Sequence, residues 1–290
     1  VKGRLADPLI KLWDPERVIR GVDPNTDFSS LKLAFPQFKE VIECVEDSIF
    51  VSDLTQSPFH MGPILLQGEP GLGKTYFVKE LADLLGLPYF EISLATISAS
   101  FALAGGNLQW SEGTIGELAK VIIESDAANP IVLLDEVDKT FQDVRYNPSN
   151  VLYGILEPHT AKRFKDEALE LELDLSQVIW IGTANYPELM SAPIRSRMRS
   201  FEIQQPDPEA MRSVVINLYE QFRRSHTCGK HLSSSLDSEV VMALSVFSPR
   251  EIRIALTEAA LKALKRGSPS ISIDDIAKKS RKELHRVGFI

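Results

Sequence analysis

Two cysteines in 290 residues, Cys44 and Cys228, leave this chain without the means to build a disulfide framework. They stand far apart and form no C-x-x-C arrangement, so a zinc site is not indicated. The five histidines (His60, His159, His226, His231, His285) are scattered singly, and no H-E-x-x-H spacing occurs. No run approaches the roughly 20 apolar residues that span a bilayer, and the first residues show no signal-peptide pattern. Internal repeats and low-complexity tracts are missing as well. So is any basic excess: 32 Lys and Arg face 40 Asp and Glu, for a net charge of −8. That balance argues against an extended nucleic-acid surface. The cysteine and membrane absences make a reducing, cytoplasmic setting the expectation. A start at Val1 rather than Met leaves open a fragment of a longer protein.

What is present is an ordinary globular composition, 44% hydrophobic and 25% charged, at a length that suits one large domain or two unequal ones. Residues 1–35 carry Pro8, Pro15, Pro24 and Asn25 with little periodicity, and read as an arm or linker with one short helix. Residues 36–206 alternate helical stretches with short apolar runs at Ile64–Leu66, Pro88–Ile92, Ile131–Leu134, Val178–Ile181 and Ser200–Ile203. Such runs predict a parallel sheet covered on both faces, an α/β body. Residues 207–290 lack strand runs and read as helices over 208–225, 238–246, 248–265 and 273–286. Ser248-Pro249 opens one of them with a cap followed by proline at the first helical position.

Gly68-Glu69-Pro70-Gly71-Leu72-Gly73-Lys74-Thr75 fits G-x-x-x-x-G-K-[ST]. The strand run 63–66 precedes it and a helical pattern starting at Tyr76 follows. In that context the glycines let backbone N–H groups surround phosphate oxygens, and the helix N-terminus adds its positive end. Lys74 would reach the β- and γ-phosphates, and the Thr75 hydroxyl would hold Mg²⁺. The competing reading is a glycine-rich turn with a surface lysine. The full motif in this context favours a nucleoside triphosphate site, with ATP and Mg²⁺ as the ligands.

Ile131-Val132-Leu133-Leu134-Asp135-Glu136 ends a buried run in two carboxylates, at the strand end where open α/β sheets bind ligands. Asp135 would hold Mg²⁺, and Glu136 would polarise the attacking water. Alone, the pair reads equally as acids terminating a strand. Asn185 ends the next run, where its amide would meet the γ-phosphate and the water, or simply make the turn. Arg195, Arg197 and Arg199 offer either a charge to stabilise phosphoryl transfer from a neighbouring subunit or a solvated basic patch. Arg250, near a helix start where the dipole disfavours a cation, suits an anionic partner or a plain surface position.

In order, these motifs resemble an AAA+ ATPase, and within it the ATPase module of the Lon protease family. Asn129-Pro130-Ile131-Val132-Leu133-Leu134-Asp135-Glu136-Val137-Asp138-Lys139 is similar to that family's N-P-V-x-L-L-D-E-I-D-K. Leu156-Glu157-Pro158-His159, Phe164, Asp174-Leu175-Ser176 and Thr183-Ala184-Asn185 resemble its L-D-P-E, F, D-L-S and T-A-N stretches. The resemblance covers roughly residues 36–265. It implies a P-loop domain, with a parallel five-stranded sheet between helices, followed by a small all-α lid. It also implies catalytic roles for Glu136, Lys74, Asn185 (sensor 1) and Arg197 (arginine finger), and a phosphate contact from Arg250 (sensor 2). The nucleotide would be bound by residues 68–76, Asp135 and Arg250, between body and lid, with Arg197 of the next subunit completing the site.

No Ser-Lys protease domain is recognisable in the chain. The loop Ala104–Gly113 stands where a pore loop is expected, with its aromatic residue, Trp110, displaced; a core or interface tryptophan is the other reading. The expected function is an ATP-driven ring, a hexamer, that remodels or unfolds protein substrates. A nucleic-acid motor or loader, which steep salt-sensitive DNA binding would favour, and a slow ATP-driven assembly switch are the alternatives.

Overall fold

The computed structural model describes residues 17–97, 99–106, 113–140 and 147–276. The chain divides into two compact units, Val1–Gln204 and Gln205–Ile290, each taken by itself below.

The first unit is built on a sheet of five parallel strands. These are β1 (Ile64–Gln67), β2 (Tyr89–Ser93), β3 (Ile131–Asp135), β6 (Ile179–Ala184) and β7 (Arg199–Glu202), ordered β2-β3-β6-β1-β7. The two remaining strands, β4 (Phe164–Asp166) and β5 (Leu171–Leu173), form a separate antiparallel hairpin. The central strands are apolar throughout because alternate residues serve opposite cores. Ile64, Leu66, Ile131, Leu133, Ile179 and Ile181 pack on one face. Leu65, Val132, Leu134 and Trp180 pack on the other. A one-residue slip would exchange the two sets, so the register of Leu134 beside Gly182 and of Gln67 beside Ala184 is held by both cores.

Helices α1 (Ser29–Ala34), α2 (Lys39–Thr55) and α3 (Lys74–Leu85) share the first core. In α3 the buried residues Phe77, Val78, Leu81, Ala82 and Leu85 recur at helical spacing, and Gly86 closes the helix at φ 65°. The Phe38 ring stacks on Phe77 at 4.1 Å, with Phe35 edge-on to both. Gln37 Nε2 donates to the Leu72 carbonyl at 3.0 Å, which ties this segment to the loop before α3. The second core takes α4 (Ser100–Ala104), α5 (Glu117–Glu124), α6 (Ser149–Ile155), α7 (Pro158–Ala161) and α8 (Ala192–Ser196).

Residues 17–35 differ from the arm read in the sequence. Phe28, Leu31 and Phe35 are buried. Asn129, fully buried just ahead of β3, accepts from the Arg20 N–H at 2.8 Å and donates to the Arg20 carbonyl at 3.0 Å. That two-way amide bond straps the segment to the sheet, and the prolines upstream of Phe28 conceal it from a periodicity reading.

The second unit holds α9 (Pro208–Ser225), α10 (Ser238–Leu244) and α11 (Pro249–Lys265) around a core that includes Met211, Leu218, Leu244, Ile252 and Leu256. Ser248 and Glu251 form a reciprocal capping box at the start of α11, with Pro249 in the first turn. Of the stretch 273–286 expected to be helical, the described part holds a 3₁₀ turn at Ile273–Asp275, and positions from 277 onward lie outside the described residues. None of the described helices is long and apolar enough to cross a membrane.

Candidate nucleotide site

Three neighbouring strands, β3, β6 and β1, run parallel, so the loops after Asp135, Ala184 and Gln67 leave from one edge of the sheet. The candidate site is built from those loops. The turn after β1 needs glycine: Gly68 has φ 150°, and a Cβ there would stand 2.2 Å from the Ile203 carbonyl oxygen. Gly73 has φ 87°, a region side chains rarely adopt, and nothing lies within 4 Å of where its Cβ would be. The turn thus closes against β7 at one glycine and is open at the other. Leu72 is buried in the core, so only its backbone is offered to a ligand. Glu69 and Pro70 are exposed and Gly71 is half-buried. Tyr76 packs toward the Phe35 ring, with centroids 5.8 Å apart.

Lys74 begins α3 with 7% of its surface exposed. Its ammonium donates to the Gly68 and Glu69 carbonyls at 2.7 and 3.0 Å and to Asn185 Oδ1 at 2.9 Å. Burial pushes this amine below the ordinary lysine value, and the charges of Asp135, Asp138 and Glu136 oppose the shift. A cation held by neutral oxygens at the head of a helix is suited to exchange those partners for phosphate oxygens.

Thr75 Oγ1 donates to Asp135 Oδ1 at 3.1 Å, and Thr183 Oγ1 donates to the same oxygen at 2.7 Å. The Glu136 N–H in turn donates to Thr183 Oγ1 at 2.9 Å. Glu136 sits at φ 56°, ψ 52°, a left-handed conformation uncommon outside glycine, and the buried Thr183 hydroxyl secures it. Among the described residues no cluster of three or more His, Cys, Asp or Glu could hold a metal unaided. The donor set, one hydroxyl and one carboxylate, fits Mg²⁺, which takes one or two protein oxygens and fills its shell with phosphate and water.

Lys74, Thr75, Asp135, Glu136 and Asn185 are therefore brought together. The arginines separate by role. Arg199 starts β7, donates to Cys44 Sγ at 3.2 Å and lies over the Phe201 ring, a structural placement. Arg195 is exposed on α8. Arg197, with its side chain 33% exposed, follows α8. Its Nη1 donates to the Pro193 carbonyl at 2.9 Å. Its Nε stands 2.9 Å from Glu157 Oε2, an ion pair off the N–H axis that forms no hydrogen bond. Arg250 is exposed in the first turn of α11, within the helical unit. Leu108 and Trp110 lie outside the described residues.

Two residues with defined contacts at the site had no role assigned from the sequence. Thr183 is one; Asp138 is the other, buried in a 3₁₀ turn after Glu136. Both stand in the stretches that resemble the Lon pattern, which is the signal that marks them.

Residues 64–206 match the family described as the ATPase family associated with various cellular activities (AAA). In fold, 82% of the chain aligns with 66% of the Thermotoga maritima RuvB Holliday junction branch migration motor, with a TM-score of 0.57 at 14% identity. The first unit therefore carries a P-loop AAA ATPase domain.

In sequence it is similar to Lon proteases, consistent with a Lon-like ATPase module. The chain is 29% identical over 235 residues to the Lon protease of Fusobacterium nucleatum and 35% identical over 142 residues to that of Mycoplasma mobile. It is 33% identical over 176 residues to the peroxisomal Lon protease homolog 2 of Oryza sativa. These alignments take in 79%, 49% and 59% of this chain, but only 29%, 17% and 20% of the three relatives.

Proposed function

We propose that this chain is the ATPase engine of a ring-forming motor that acts on protein substrates. The observation that carries the engine is the meeting of three loops. The Lys74 ammonium lies 2.9 Å from Asn185, and the Thr75 hydroxyl lies 3.1 Å from Asp135. Lys74 and the backbone N–H groups of the loop 68–75, Pro70 excepted, would bind the β- and γ-phosphates of ATP. Thr75 and Asp135 would hold Mg²⁺, which neutralises charge on the phosphate oxygens when bound. Asn185 would orient a water, and Glu136 would take a proton from it as its oxygen bonds to the γ-phosphorus. The phosphorus–oxygen bond to ADP breaks in the same displacement, giving ADP and phosphate. Arg197 would act on the site of the next subunit, where its charge offsets that of the transition state. The role of Arg250 is carried by the Lon-like pattern alone.

The protein substrate is supported by the Lon proteases among its sequence relatives and by the net charge of −8, which repels a phosphate backbone. A ring of identical subunits, hexameric by the same analogy, is what an arginine acting in trans requires. Steady-state ATP turnover, measured alone, with a permanently unfolded protein and with single-stranded DNA, tests the reading. Stimulation by the unfolded protein supports it. Stimulation by DNA alone assigns the engine to nucleic acid, and slow turnover indifferent to both makes the chain a switch.

A further inference from the structure

Asp138 is buried, with 4% of its surface exposed and none of its side chain, yet it carries a carboxylate. Isolated burial of such a charge is strongly unfavourable, so its partners are informative. Its Oδ1 accepts the Asn185 N–H at 3.3 Å, and its Oδ2 accepts the Tyr186 N–H at 3.2 Å. The Lys139 ammonium, 4.0 Å from Oδ2, also lies 5.2 Å from the centroid of the Tyr186 ring. One acid after β3 thus takes two consecutive amides after β6, and its neighbour lies over the ring of the second residue.

The contacts bridge two chemically distinct strand ends. Asp138 belongs to the 3₁₀ turn Val137–Lys139 that follows Asp135 and Glu136, and Tyr186 leads into a second turn, Pro187–Leu189. Asn185, between them, accepts from Lys74 through its own side chain. Moving the Asn185 backbone would therefore move the amide that meets the lysine.

We propose that Asp138 is a positioning residue for ATP hydrolysis, clamping the Asn185–Tyr186 backbone so that the Asn185 amide is held against the phosphate-binding lysine. This rests on the reading of Asn185 as the water- and phosphate-sensing amide. Asp138 itself touches neither reactant. A residue acting this way governs turnover more than nucleotide affinity, because Lys74 keeps its Gly68 and Glu69 carbonyl partners and the phosphate loop itself makes no contact with Asp138. Misplacing a reacting group by about 1 Å costs on the order of 10²-fold in rate.

The test is a double-mutant cycle in kcat with Asp138→Asn, Asn185→Ala and the combination, with ATP affinity and Tm measured for each. Asp138→Asn is expected to lower kcat about 10- to 100-fold at near wild-type affinity, and to add nothing further in the Asn185→Ala background. Full additivity of the two losses, or unchanged kcat in Asp138→Asn, overturns the proposal. Unchanged kcat in Asn185→Ala instead removes the sensor reading on which it rests. If Asp138→Asn fails to fold, Asp138→Glu, which keeps the charge but shifts the oxygens, is read in the same cycle. Loss of turnover coupled to Asn185 supports the clamp, and independence from Asn185 rejects it.

Discussion

Replacing Thr183 with valine tests how the site is held, since it removes one oxygen and conserves shape. The Thr183 hydroxyl, itself buried, makes two partly buried contacts, to the Asp135 carboxylate at 2.7 Å and from the Glu136 N–H at 2.9 Å. A hydrogen bond to a charged group contributes about 1.5–3 kcal/mol, and an unpaired buried N–H costs about 1–3 kcal/mol. Volume is retained, so cavity formation adds little. With partial relaxation the loss should come to roughly 2–4 kcal/mol. At roughly 2–4 °C per kcal/mol for a unit of this size, that is a fall in Tm of about 4–16 °C. Activity should fall further than stability alone explains, because the same hydroxyl secures the left-handed Glu136. Thermal unfolding followed by calorimetry, with ATP turnover at a temperature where the variant is fully folded, separates the two effects. The expected result is a lower Tm and at least about tenfold slower turnover, with Thr183→Ser close to wild type in both. A Thr183→Val protein with unchanged Tm and turnover would show that this hydroxyl does not hold the site.

Two other perturbations follow from the same contacts. Arg197→Ala should bind ATP normally yet lose on the order of 10³-fold in turnover, with little change in Tm because its half-exposed ion pair with Glu157 forms no hydrogen bond; near wild-type turnover removes the trans role. In the helical unit, the Arg266 guanidinium, followed by hydrogen bonds from Ser272, holds the Asp275 carboxyl down at about 2. Its folded value lies below the unfolded one, so the stabilisation is complete above about pH 5 and is lost as pH falls from there toward 2. Asp275→Asn should flatten that acid limb in a Tm-against-pH series, and an unchanged limb would show that Asp275 does not carry it.

The sheet was legible because its central strands are short apolar runs, and the cores on both faces explain why no polar alternation interrupts them. The hairpin Phe164–Asp166 and Leu171–Leu173 was not, since three-residue strands with mixed side chains leave no periodic signal. At the site, Lys74, Thr75, Asp135 and Glu136 were readable because phosphate chemistry demands those types at that spacing. Asp138 and Thr183 were not assigned roles. Their parts depend on β3 and β6 lying side by side, a fact of topology that no local pattern contains. The same holds for Asn129, whose family-like position before Pro130 is explained only once it is seen grasping both backbone groups of Arg20. Phe28, Leu31 and Phe35 likewise join the core by long-range packing in a stretch whose prolines suggest a linker.

The proposed function turns on Glu136 as the base of an ATPase whose phosphate loop is residues 68–75. Nucleotide affinity and single-turnover hydrolysis of Glu136→Gln, set beside the wild type, test it most directly. Undiminished ATP affinity is expected, with hydrolysis slowed by about 10²-fold or more. Hydrolysis at the wild-type rate would contradict it.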